Sequence, residues 1–122
     1  MKISSICPLI VSPNADELIK LFEELGFEGN HVKSDIEGGD NINTDMKDAN
    51  GNRIDIASTK HLEKDLLSIR INVDSFEEAL EFFTSHGFIN TRGDRITVTS
   101  SSKDTFLISP GGLGITLTEH LK

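Results

Sequence analysis

The chain has 122 residues, which suits one ordinary domain or two half-size modules sharing a core. Acidic residues outnumber basic ones 20 to 12, and the net charge of −8 argues against nucleic acid and anionic membranes as partners. A single cysteine excludes an internal disulfide, and no apolar run approaches the roughly 20 residues of a membrane span, so a cytoplasmic protein is expected.

Residues 2–11 read as a strand in which Cys7, Leu9 and Val11 alternate with Ile6, Pro8 and Ile10. Cys7 lies in an apolar run and reads as a small buried hydrophobe, since nothing nearby in sequence would activate the thiol. A helix is predicted over 14–25, with Asn14 as its cap, Glu17 three residues on, and a stripe of Ala15, Leu18, Ile19 and Phe22. Gly26 closes it. Residues 28–34 form a polar strand, 35–40 an acidic loop and 42–47 a weak strand. Asn50-Gly51 is a hairpin turn leading into a strand over 53–57. Residues 59–66 link the halves.

The second half starts the same way. Ile69, Ile71 and Val73 alternate with Ser68, Arg70 and Asn72 along a strand over 67–73. Ser75 caps a helix over 76–86 whose stripe is Phe76, Ala79, Leu80 and Phe83, and Gly87 ends it. A short strand at 89–91, a turn at 92–94, a strand over 95–100, a turn at 100–104, a strand over 105–109, a turn at 110–112 and a strand over 114–119 follow. Helix ends recur at an offset of 61 residues and strands at 62, while Gly51, Ile54 and Ile56 recur at Gly112, Ile115 and Leu117. Three ordered matches imply a duplication of a β-α-β-β-β module.

Such a duplication over essentially the whole chain resembles the vicinal oxygen chelate superfamily, which includes glyoxalase I, methylmalonyl-CoA epimerase, extradiol dioxygenases and bleomycin-resistance proteins. The carrying segments are 6–27, 68–88, 48–56 and 109–117. The resemblance implies an α+β fold: two tandem βαβββ modules, 1–58 and 67–122, whose curled mixed sheet forms a concave cleft with the helices on its convex side. It implies homodimers as well. Family enzymes hold a divalent metal on the first and last strands of each module, through His or Gln, Glu, His and Glu. Aligned by the repeat, those positions are Ile6, Asp55, Ser68 and Thr116, of which only Asp55 is a good ligand.

The expectation is therefore a small-molecule-binding protein without the metal. Its cleft candidates are Arg53, Asp55, Arg70, Asn72, Thr116 and Thr118, beside an apolar wall of Ile6, Pro8 and Ile10. A guanidinium at Arg70 needs an anion, either Asp55 or a ligand carboxylate or phosphate. The acidic charge suits a cationic drug, but the lack of Trp and Tyr does not. The alternative is a metal-dependent lyase, isomerase or dioxygenase that joins Asp55 with His31, Glu119 or His120. His61 and His86 read as surface residues.

Overall fold

The computed structural model describes residues 1–33, 42–91, 96–98 and 102–120. The acidic loop at 35–40 and the turn at 92–94 lie outside them. The elements are β1 (Ile3–Ser12), α1 (Ala15–Glu24), β2 (Glu28–Lys33), β3 (Ile42–Lys47), β4 (Arg53–Ser58), β5 (Leu66–Val73), α2 (Phe76–Ser85), β6 (Ile89–Asn90), β7 (Thr97–Val98), β8 (Ser102–Ile108) and β9 (Gly114–His120). This is an α+β chain, and it divides into two units. Cys7–Leu67 form the first unit, and Met1–Ile6 join Ser68–Lys122 in the second.

In the first unit the strand order is β2-β3-β4-β1. β1 and β4 run parallel, while β3 is antiparallel to both β4 and β2. The stripe of α1 meets the apolar side of the sheet: Ala15, Leu18, Ile19 and Phe22 pack with Met46, Ile54, Ile56 and Phe27. In the second unit β5 and β9 run parallel, β8 is antiparallel to β9, and both β6 and β7 pair with β8. Phe76, Ala79, Leu80 and Phe83 of α2 pack on Ile71, Val73, Leu107, Ile115 and Leu117. Each unit thus has a core cluster of its own among the described residues.

The duplication is stricter than the sequence indicated. Gly26 and Gly87 both take positive φ (102° and 89°) at the helix ends. There the amides of Phe27 and Phe88 bond back to the carbonyls of Phe22 and Phe83, the closure glycine permits. The hairpin turns repeat bond for bond. Asp48 N–H donates to Asn52 O and Gly51 N–H to Asp48 O, as Ser109 N–H does to Leu113 O and Gly112 N–H to Ser109 O. The strands follow the same rule, with Leu9 opposite Asp55 and Arg70 opposite Thr116. Every one of these matches is 61 residues apart. The offset of 62 expected for the strands is corrected to 61, and that one residue changes which row of β1 shares a face with Asp55.

Local details also differ. Asn14 makes no side-chain cap on α1. Instead Ser12 Oγ accepts from Asn14 N–H at 2.9 Å and donates to Asp65 at 2.5 Å. Ser75 does cap α2, accepting from Glu78 N–H at 3.5 Å. The turn expected at 100–104 gives way to β8, which starts at Ser102. Of the strand expected over 95–100, the described residues show Thr97–Val98 as strand, with Ile96 and Val98 exposed. Alternation alone does not bury a strand whose partner among the described residues lies on one side, at β8.

Candidate functional site

Residues paired across a ladder share a face, and successive residues alternate. In the first unit Ile54 and Ile56 face α1, so Arg53 and Asp55 lie on the face turned away from it. Leu9 pairs with Asp55 and therefore lies in that row, with Cys7 and Val11. Ile6, Pro8 and Ile10 belong to the opposite row and do not form the expected apolar wall. Cys7 and Leu9 are buried, whereas Ile6 is 58% exposed. The repeat position first read as Ile6 is Cys7.

That correction brings two side chains together. Cys7 Sγ donates to Asp55 Oδ2 at 3.4 Å, and both residues are buried. Asp45 is the register partner of Asp55 and accepts from Asn43 Nδ2 at 2.9 Å. Arg53, by contrast, is exposed at the start of β4 opposite Lys47.

The second unit repeats the arrangement with different chemistry. Ile69, Ile71 and Val73 face α2, leaving Ser68, Arg70 and Asn72 on the face turned away from it. Ser68 and Thr116 share a hydrogen bond of 2.8 Å between their hydroxyls. Both this pair and Cys7–Asp55 are 48 residues apart in sequence, as one repeated geometry requires. Arg70 is half-buried and makes polar interactions of its own, as does Asp55.

Further along the same face, Asn72 is the register partner of Thr118. The two residues are only 8% and 5% exposed. Asn72 Nδ2 donates to Ser5 Oγ at 2.7 Å. Asn72 Oδ1 and Thr118 Oγ1 are buried without a hydrogen-bond partner among the described residues. At the other end of β9, the Phe106 ring lies over Gly114 on this face. A Cβ at Gly114 would sit 2.7 Å from Phe106 Cζ. Sequence reasoning missed Cys7, Phe106 and Gly114, and a strict offset of 61 would have found the first.

The other proposed ligands are placed elsewhere. Glu119 Oε1 accepts from Phe76 N–H at 2.6 Å and so anchors the first turn of α2. His120 ends β9 and is exposed, and His31 is the register partner of Thr44, one row off Asp45 and Asp55. His61 is exposed, and His86 Nδ1 contacts Phe82 O at 2.8 Å at the end of α2. Among the described residues no group of three or more His, Cys, Asp or Glu side chains could hold a metal ion. A depression of about 300 Å³, lined by Pro13–Glu17 and Ser58, lies at the start of α1. The resolved pKa shifts also lie off this face. Asn52 holds the Asp48 carboxyl below its usual range, and Lys103 does the same to Glu77.

No protein-family model matches the sequence, and no curated protein matches it. Solved structures do match in fold. Glyoxalase I from Zea mays superposes with a TM-score of 0.69 at 13% identity over 97% of this chain, which spans only 43% of that enzyme's chain. Methylmalonyl-CoA epimerase from Mycobacterium tuberculosis gives 0.66 at 12% identity, covering 98% of this chain and 90% of the other. A glyoxalase/bleomycin resistance protein/dioxygenase superfamily member from Vibrio splendidus gives 0.57 at 12% identity, covering 97% and 99%. The chain has the vicinal oxygen chelate fold. No helix among the described residues is long and apolar enough to cross a membrane.

Proposed function

We propose that the chain is a small-molecule-binding protein on this scaffold that has lost the usual metal ligands, and that it works as a cytoplasmic homodimer. One observation carries the reading. The four repeat-related positions hold Cys7, Asp55, Ser68 and Thr116, and each pair is closed by a hydrogen bond within itself. A divalent ion on this scaffold wants imidazole and carboxylate donors with sites left open for substrate oxygens. One carboxylate, one thiol and two neutral hydroxyls do not match that set. What the face of the second unit turned away from α2 holds instead is buried hydrogen-bonding capacity, at Asn72 and Thr118. Either an anion drawn to Arg70 or a cationic drug drawn to the acidic chain would suit the charge pattern.

Elemental analysis of the purified protein, followed by thermal melts with manganese, iron, nickel and zinc, tests the proposal. The expected result is no stoichiometric metal and no rise in Tm with any ion. Near-stoichiometric metal, or a rise of several degrees with one ion, overturns it. Light scattering tests the dimer.

A further inference from the structure

We propose that Asn50 is a self-modification site. In the folded chain its carboxamide is lost to attack by the Gly51 backbone nitrogen, which leaves aspartate or isoaspartate at the tip of the β3–β4 hairpin. Asn50-Gly51 is the one Asn-Gly pair in the sequence. Glycine has no side chain to shield its backbone nitrogen, so the approach to the preceding carboxamide is open.

The chemistry needs only water. The Gly51 nitrogen gives up its proton to water and bonds to Asn50 Cγ. The Cγ–Nδ2 bond breaks, and the departing nitrogen takes up a proton and leaves as ammonia. Water then opens the cyclic imide. Cleavage of the new N–Cγ bond gives aspartate, and cleavage of the original peptide C–N bond gives isoaspartate.

The turn meets each need of this reaction. Ala49, Asn50 and Gly51 are all exposed. Asn50 donates its backbone N–H to Asp48 Oδ1 at 2.9 Å, but its side chain makes no hydrogen bond among the described residues. The attacking nitrogen is loosely held: Gly51 N–H reaches Asp48 O at 3.3 Å, beyond the usual range of about 2.7–3.2 Å. A Cβ built at Gly51 would meet nothing within 4 Å, so the imide has room to form.

The second unit supplies a control. Its turn repeats these bonds, and Leu113 N–H reaches Ser109 Oγ as Asn52 N–H reaches Asp48 Oδ1. The residue equivalent to Asn50 is Gly111, which has no carboxamide to lose. Modification therefore acts on one unit alone. Isoaspartate routes the chain through its side chain and adds one backbone atom between residues 50 and 51. Asp48 then loses the spacing on which its bonds to Asn52 N–H and Nδ2 depend, both at 2.8 Å. Either product also places a second carboxylate beside Asp48, where like charges repel. The end of the hairpin loosens.

The test ages the whole chain at about 37 °C, at pH 8 and at pH 6, beside an unaged sample, and digests all of them with trypsin. Cleavage after Lys47 and Arg53 releases residues 48–53 as one peptide. That peptide should exchange the mass of NH₂ for OH before any other asparagine peptide does. The exchange should run severalfold faster at pH 8, because the deprotonated nitrogen is the nucleophile. Isoaspartyl methyltransferase should label part of the product. Asn50→Gln, whose longer side chain closes a ring poorly, should slow the change at least tenfold. A folded chain that stays unmodified overturns the proposal, whether or not the urea-unfolded chain converts. Conversion first at another asparagine, or an undiminished rate in Asn50→Gln, also overturns it. Hydrogen exchange at the Asn52 amide should quicken in the isoaspartyl form, and unchanged exchange would overturn the loosening of the hairpin.

Discussion

Cys7 illustrates how a residue can be identified correctly in one respect and misplaced in another. It is buried, as a lone cysteine in an apolar run should be. Yet its thiol is directed at the Asp55 carboxylate rather than into a hydrocarbon core. A buried carboxylate depends on its donors, and removing one leaves an acceptor short. Cys7→Ser keeps a donor in place, and Cys7→Val does not. The valine variant should be less stable than the serine variant by about 1–2 kcal/mol, measured as a shift in urea midpoint at constant m-value. Equal stability of the two would show that the thiol contributes packing alone. Asp48 offers a second test at this scale. Its carboxylate accepts from the backbone of Asn50 and Asn52 and from Asn52 Nδ2. These bonds hold its pKa below the usual 3.8. The folded pKa is the lower one, so the unfolded chain takes up the proton first as pH falls. The stability this group contributes is present above about pH 4 and is lost as pH drops through the folded value. Wild type should therefore exceed Asp48→Ala in urea midpoint at pH 7, and the gap should narrow as pH falls below about 4.

Elements show where pattern reading succeeds and where it fails. Both helices were legible because an apolar stripe at i, i+3, i+4 and i+7 has to bury itself, and a glycine with positive φ has to end it. β5 was legible for a similar reason: Ile69, Ile71 and Val73 alternate with polar residues. β1 was not, because its two rows are both apolar, and alternation between Cys7-Leu9-Val11 and Ile6-Pro8-Ile10 cannot say which row faces the helix. Only the ladder with β4 decides it. A helix stop read from glycine also says nothing about what holds the start. At α2 the start depends on Glu119, which is 43 residues from Phe76 in sequence. A carboxylate there satisfies an otherwise unmatched amide and complements the helix dipole. Glu119→Gln keeps the shape and loses the charge, so it should cost about 0.5–1.5 kcal/mol and lower helicity at the first turn of α2. Hydrogen exchange at the Phe76 amide reads the effect directly, and unchanged protection would remove Glu119 from this role.

At the scale of the whole chain, the consequence of a duplication at one offset is that equivalent positions should carry equivalent energetic weight. Ile56 and Leu117 are such a pair. Each is fully buried, on the last strand of its unit's module and under that unit's helix. Fold and repeat were readable from sequence because the helices and turns repeat visibly. The candidate site was only half readable, because its residues meet diagonally across the ladders, beside the register pairs Leu9–Asp55 and Arg70–Thr116, and differ chemically: a thiol and carboxylate in one unit, two hydroxyls in the other. Selection for a core preserves size and apolarity, whereas a site can change its chemistry without disturbing the sheet beneath it. Ile56→Ala and Leu117→Ala should each lower stability by about 2–4 kcal/mol. Because each unit has its own small core, and a core of this size is marginal alone, both substitutions should move one and the same unfolding transition. Two separated transitions, with only one displaced by each substitution, would show instead that the duplicated halves are thermodynamically independent.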